Sequence, residues 1–226
     1  MDFNTDRLLT RRNLISATLG ATGMAALTAA PATAAAPRVN GLEGKKVLVA
    51  IGDFSEGLET YYMIYRLIEE GVKPVVAAAK AKQLQMVVHD FDPQYSNYTE
   101  KLGYYIQTDI AYDDVQAADF DGLLVPGGRG AEEARQYESA LNVTRYFLDH
   151  KLPVGAMCHG PQLLYTAGSM KGRRMTAFPG IRFDLEAAGA TFVDEPVVVD
   201  GPLVTSRGWP DLPYFMPKFL EVLAQA

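Results

Sequence analysis

The stretch Lys45-Lys46-Val47-Leu48-Val49-Ala50-Ile51-Gly52-Asp53-Phe54-Ser55-Glu56 passes from a charged start through an unbroken apolar run to a glycine turn. An uninterrupted Val/Leu/Ile run reads as a strand buried on both faces, the kind found in parallel sheets. From Glu56 to Glu70 the apolar residues change to helical spacing (Leu58, Tyr61, Tyr62, Tyr65, Ile68), and Gly71 stops the helix. Val72 to Ala79 is a second apolar run. Strand, helix and strand in about 35 residues make a βαβ unit, whose strands lie parallel.

The same alternation continues. Asp121 to Val125 reads as a strand ending at Pro126-Gly127-Gly128-Arg129, and Glu132 to Asp149 as one helix. Pro153 to Met157 is a strand, and Gly160 to Gly168 opens another helix. Residues 191–193, 197–199 and 203–205 are short late strands, and Pro213 to Ala224 closes the chain as a helix. The expected fold class is therefore α/β, with a mostly parallel sheet covered on both faces. Residues 84–112 break the rhythm: they are polar and aromatic, and read as a long loop insertion or small subdomain of functional or interfacial use.

The first 36 residues belong to a different class. Arg7 and the pair Arg11-Arg12 precede an uncharged Ala/Gly/Leu/Thr stretch that ends in Ala32-Thr33-Ala34-Ala35-Ala36. A basic start, apolar middle and small-residue end describe a secretory signal, and the paired arginines give it twin-arginine character. Its mild hydrophobicity favours a cleaved signal over a membrane anchor. The expectation is export to the periplasm or beyond, with residues 37–226 as a single domain. Residues 1–36 carry Asp2, Asp6, Arg7, Arg11 and Arg12, a net of +1. The remainder therefore carries −7 of the chain's −6. So acidic a domain argues against a dedicated nucleic-acid binder.

One cysteine and three histidines restrict the chemistry. A lone Cys excludes a disulfide framework and a multi-thiolate zinc site. No metal or cofactor is expected. Cys158 sits between an apolar strand and a helix in Ala156-Met157-Cys158-His159-Gly160-Pro161. Small residues two before and two after it suit a nucleophile elbow, where a tight turn lifts the nucleophile above the sheet edge. His159 is the neighbouring base candidate. Glu132 is the candidate to orient that histidine, and His89, in the polar segment, is a candidate pocket residue. Glu56 reads either as a carboxyl partner for the thiol or as a first-turn acid favoured by the helix dipole. Gly127 and Gly128 supply backbone N–H groups suited to an oxyanion hole.

These motifs resemble those of the ThiJ/PfpI superfamily, related to the class I glutamine amidotransferase domain. The resemblance rests on residues 54–59, 66–71, 126–129, 156–162, 178–180 and 199–201, and spans about Lys45 to Leu223. It implies a flavodoxin-like three-layer sandwich with Cys158 as nucleophile, Glu56 as its carboxyl partner, and His159 and Glu132 completing a Cys-His-Glu set. In PfpI-type peptidases the equivalent glutamate acts across a subunit interface, which implies a homo-oligomer. Gly130-Ala131-Glu132-Glu133 departs from the family's usual Ala-Pro-Glu. His89-Asp90-Phe91 and Thr99-Glu100-Lys101 are similar to segments of glyoxalase III domains. The implied activity is therefore a glutathione-independent glyoxalase acting on a small carbonyl substrate such as methylglyoxal. A cysteine peptidase is the alternative reading. A third is a non-enzymatic redox sensor or chaperone, in which Cys158 is oxidised to a sulfinic acid.

Overall fold

A computed structural model describes residues 39–226. The export signal expected over residues 1–36 lies outside the described residues. The first βαβ unit forms as the pattern predicts: β1 (Lys46–Ala50), α1 (Gly57–Glu69) and β2 (Lys73–Ala78), with Lys46 facing Lys73 and Ala50 facing Ala77 in a parallel register.

Beyond it come β3 (Gln83–Asp90), β4 (Thr99–Gln107), β5 (Ile110–Ala111), β6 (Gly122–Val125), α2 (Gly130–Ala134), α3 (Glu138–Asp149), β7 (Val154–Met157) and α4 (Pro161–Ala167). The chain ends in β8 (Arg174–Met175), α5 (Arg182–Ala187), β9 (Thr191–Phe192), β10 (Val197–Asp200), β11 (Leu203–Ser206) and α6 (Leu212–Gln225). The main sheet has seven strands in the order β10-β11-β7-β6-β1-β2-β5, parallel throughout except for β10.

Alternate residues of each central strand face opposite ways, which explains the unbroken apolar runs. Val47 and Val49 of β1, and Ile51 just after it, pack with Met63 and Leu67 of α1 and with Phe215, Phe219 and Leu223 of α6. Leu48 and Ala50 face the other layer, with Val143 and Phe147 of α3 and Leu163 and Leu164 of α4. The result is a mostly parallel sheet between two helical layers. Strand order reverses about β1, and in open α/β sheets the crevice beyond the strand C-termini at such a point is where ligands bind.

Two expectations are corrected here. The polar segment 84–112 is not mainly loop: β3 and β4 pair as an antiparallel hairpin, with only residues 91–98 between them. Its inward positions (Leu84, Met86, Val87) are buried, whereas most of β4 is exposed, so the segment lacked the alternation that would have marked strands. The single helix over Glu132–Asp149 is two helices, interrupted at residues 135–137 without a glycine or proline to announce the break.

Candidate active site

Three neighbouring strands deliver the site. β1 runs into Gly52–Glu56, β6 into Pro126-Gly127-Gly128, and β7 into Cys158, all at the same sheet edge. Backbone bonds stitch the first two ends together, Glu56 N–H donating to the Gly127 carbonyl at 3.0 Å and Arg129 N–H to the Phe54 carbonyl at 2.9 Å, while Cys158 N–H donates to the Ser206 carbonyl at the end of β11 at 3.0 Å.

Cys158 has φ +57°, in the left-handed region that a residue with a Cβ rarely occupies. Such a backbone costs about 1–3 kcal/mol and persists where its surroundings enforce it. Here the Cys158 carbonyl accepts Phe178 N–H at 3.0 Å, and Gly160 N–H reaches back to the Met157 carbonyl at 2.7 Å. Gly160 is required at this turn, because a Cβ there would collide with the carbonyl oxygen of Val125. This is the sharp elbow expected of the Ala-Met-Cys-His-Gly sequence.

The thiol is 5% exposed. Its Sγ lies 3.4 Å from His159 Nδ1. Burial pushes the Cys158 thiol well above its ordinary pKa and the Glu59 charge adds to the rise, while the backbone N–H groups of Gly128 and His159 face the sulfur and favour its thiolate form. Gly128 (φ +74°) adopts the left-handed turn that aims its N–H this way.

The carboxyl against the sulfur is Glu59 rather than Glu56. Glu59 is fully buried and accepts Gly127 N–H at 2.6 Å. A Cβ placed on Gly127 would stand 2.9 Å from both Cys158 Sγ and Glu59 Oε2, so only glycine lets the two groups meet. Burial raises the Glu59 pKa well above the ordinary carboxylate range, and the neighbouring Glu56 charge adds to the rise. Burial thus disfavours negative charge on Glu59 and Cys158 alike.

Glu56 instead caps α1, accepting Glu59 N–H at 2.7 Å. Burial pushes its pKa up to about 7, against the pull of backbone N–H groups from Glu59, His89 and Leu58. The dipole-related alternative for Glu56 therefore fits this geometry, and its expected partnership with the thiol does not. One helical turn separates the two glutamates, and only the second projects under Cys158. The Gly127 N–H, expected in an oxyanion hole, is likewise engaged by Glu59, which leaves the N–H groups of Gly128 and His159 at the sulfur.

His159 is buried, and its pKa is lowered to about 4, chiefly by burial and then by the charge of His89. The imidazole is therefore neutral at physiological pH and available as a base. Its ring stacks on Phe178 with centroids 5.1 Å apart and meets the edge of Tyr98 at 5.8 Å.

Glu132 stands in the first turn of α2, half-buried in a surface pocket of about 360 Å³ with Asp53, Phe54, Arg129 and Gln136. Among the described residues its carboxylate makes no hydrogen bond to His159, so it does not orient that ring within one chain.

His89 is buried in β3. Its Nε2 lies 3.0 Å from Glu100 Oε2 and its ring lies 4.3 Å from that of Tyr98. No hydrogen bond joins it to Cys158 among the described residues, so it backs the pocket wall without lining the thiol. Glu100 also takes both Nε (3.1 Å) and Nη2 of Arg129, whose guanidinium lies 4.3 Å over the Phe54 ring. Trp209 Nε1 donates to the His89 carbonyl at 3.1 Å. The hairpin thereby brings Tyr98 and Phe91 beside Phe178 and Trp209 as an aromatic wall above the cysteine.

Glu59 was missed at the sequence level, although it sits at i+3 from Glu56 on the same helix. Tyr98 was missed as a site residue because nothing local ties residue 98 to residue 158.

Residues 45–222 match the model of the DJ-1/PfpI family. The chain is 36% identical to Deglycase PfpI of Pyrococcus furiosus, over 79% of this chain and 99% of that protein. It is 44% identical to Protein/nucleic acid deglycase 2 of Escherichia coli, over 52% of this chain and 69% of that one. Among solved structures, Drosophila melanogaster DJ-1beta superposes with a TM-score of 0.68 at 25% identity, covering 80% of this chain and 91% of that chain.

Proposed function

Because the chain belongs to the DJ-1/PfpI family, we propose that it is a cysteine-dependent enzyme that processes reactive carbonyl compounds, with 2-oxoaldehydes such as methylglyoxal as its substrates. The observation that carries this reading is the Cys158 elbow. It holds a buried thiol with Glu59 beside it, His159 Nδ1 at 3.4 Å and the Gly128 N–H aimed at the sulfur.

The thiolate forms when Cys158 passes its proton to Glu59. It attacks the aldehyde carbon, the S–C bond forms, and the carbonyl π pair moves to oxygen, which takes the proton from Glu59. Neutral His159 removes the C1 hydrogen of this hemithioacetal to give an enediolate with its charge on the C2 oxygen, then returns that proton to C2 as the O1 hydrogen passes to the C2 oxygen. The resulting thioester is hydrolysed by water to the 2-hydroxy acid, and Cys158 is released. The net change is the addition of one water to the substrate, so neither glutathione nor an oxidant enters.

The 5% exposure of Cys158 and the aromatic wall above it favour a small carbonyl over a polypeptide substrate. Relatives named deglycases are consistent with this class of chemistry, since a glycated group is also a carbonyl adduct. In this reading residues 1–36, with Arg11-Arg12, act as an export signal, and the reaction takes place outside the cytoplasm. The exposed apolar face of α1 and β4 is taken to pair with a second copy of the chain.

Methylglyoxal consumption and lactate release by the purified protein test the proposal. Cys158→Ser and Glu59→Gln are each expected to lower kcat/KM by about 100-fold or more. Glu56→Gln, as a helix cap, should lower it by less than about tenfold. Cleavage of a labelled unstructured peptide by the wild type, without lactate formation, would establish the peptidase reading instead. Release of free amine from a methylglyoxal-modified peptide, again without lactate, would establish a deglycase.

A further inference from the structure

The hairpin carries one polar group toward the cysteine that the chemistry above does not use. Tyr98, just before β4, is wedged edge-on against His159 (5.8 Å, 76°) and Phe178 (5.2 Å, 79°), with the His89 ring behind it at 4.3 Å. These contacts fix the ring on three sides. Its hydroxyl makes no hydrogen bond to any described residue. His159, the ring that Tyr98 meets edge-on, holds its Nδ1 3.4 Å from Cys158 Sγ, so the phenol stands one ring away from the thiol. The ring cannot swing away easily, because the next residue but one, Glu100, is held by both His89 and Arg129.

We propose that the Tyr98 hydroxyl donates a hydrogen bond to the second carbonyl oxygen of a vicinal dicarbonyl compound bound to Cys158, so that the hairpin selects 2-oxoaldehydes over simple aldehydes. This rests on the carbonyl chemistry proposed above. A simple aldehyde offers the thiol the same C1 but no oxygen on C2, and leaves the hydroxyl without an acceptor. In the enediol step, charge develops on the C2 oxygen, and the same hydrogen bond strengthens as the barrier is climbed.

Adduct formation, without turnover, isolates this contact. Hemithioacetal formation (Cys–SH plus RCHO giving Cys–S–CH(OH)R) protects Cys158 from iodoacetamide, and the protection constant can be measured for methylglyoxal and for propionaldehyde. The ratio of the two constants in Tyr98→Phe, divided by that in the wild type, cancels the intrinsic reactivities of the aldehydes. It is expected to show a roughly three- to tenfold loss of preference for methylglyoxal, the worth of one ordinary hydrogen bond. The alkylation rate of the free thiol should stay within about twofold, showing that the ring still packs. An unchanged ratio, or equal weakening toward both aldehydes, overturns the role of Tyr98 while leaving the carbonyl reading intact. No protection of the wild type by methylglyoxal overturns both.

Discussion

His159 is the residue whose burial does most to define the conditions under which the site works. An imidazole with a folded-state pKa of about 4 stays neutral far below the usual value of 6.5. Below pH 6.5 the unfolded chain takes up this proton and the folded chain does not. The stability tied to His159 is therefore complete above about pH 6.5 and is lost as the pH falls toward 4. Glu56 acts with the opposite sign. Its folded-state pKa of about 7 exceeds the ordinary 4.5, so acidification from pH 7 to 4.5 stabilises the fold through it. The whole-protein curve adds both effects, but the difference between the wild type and His159→Gln isolates one. Urea unfolding should find that the wild type loses about 2 kcal/mol relative to the variant between pH 7 and pH 4.5. A gap that does not change with pH would show that His159 titrates normally. Cys158 and His159 were legible in the sequence because an elbow needs small residues at fixed offsets from its nucleophile. Glu59 was not, because choosing between acids one helical turn apart requires knowing which face of α1 lies under the cysteine.

The β3–β4 hairpin is the element that makes this site particular. A two-stranded sheet is marginal alone, and this one is fastened at two levels. At its base, Val87 N–H donates to the Ser55 carbonyl at 3.0 Å, and Gln85 N–H to Asp53 at 3.0 Å. At its tip, the links are Glu100 to Arg129 and His89, and Trp209 to the His89 carbonyl. Glu100→Ala removes the tip anchor and leaves the base. Because Arg129 is nearly half-exposed, the global cost should be about 1 kcal/mol or less. Amide hydrogen exchange is expected to accelerate at residues 89–101, with no change in β1, β6 or α6. Uniform acceleration across the sheet would mean that Glu100 supports the whole fold. The sequence marked this segment as exceptional through His89-Asp90-Phe91 and its polar, aromatic composition. It did not reveal two strands, because a hairpin exposed along β4 has no need to alternate apolar and polar residues. Tyr98 was hidden for the same reason: what places it is tertiary contact with Phe178, 80 positions away.

At the scale of the whole molecule, the outer face of α1 and β4 stands out. Leu58 and Tyr65 from the helix, and Tyr104 (82% exposed) and Tyr105 from the strand, line a groove of about 530 Å³, and Ile68 and Leu102 (72%) of the same two elements are exposed as well. Side chains of this size at these exposures amount to roughly 700 Å² of surface, close to the ~800 Å² each partner contributes to a standard interface. Among the described residues β4 pairs only with β3, which leaves one edge of it without a neighbouring strand, and soluble proteins ordinarily cover such an edge. Size-exclusion chromatography with light scattering should therefore find a dimer or larger, and Leu102→Lys with Tyr104→Glu should return it to a monomer. A monomeric wild type, or a variant of unchanged size, would refute a second copy at this face.

What the sequence determined by itself is the alternating α/β layout, the parallel character of its strands and the cysteine elbow. Each of these is written in local periodicity and in the small residues a tight turn demands. What only the tertiary structure decided is the company the cysteine keeps. Glu59 displaces Glu56, Gly127 surrenders its N–H, Glu132 stands apart from His159, and Tyr98 arrives from a hairpin. Those outcomes depend on which faces of separate elements meet at one sheet edge, and residue spacing along the chain does not encode that distance.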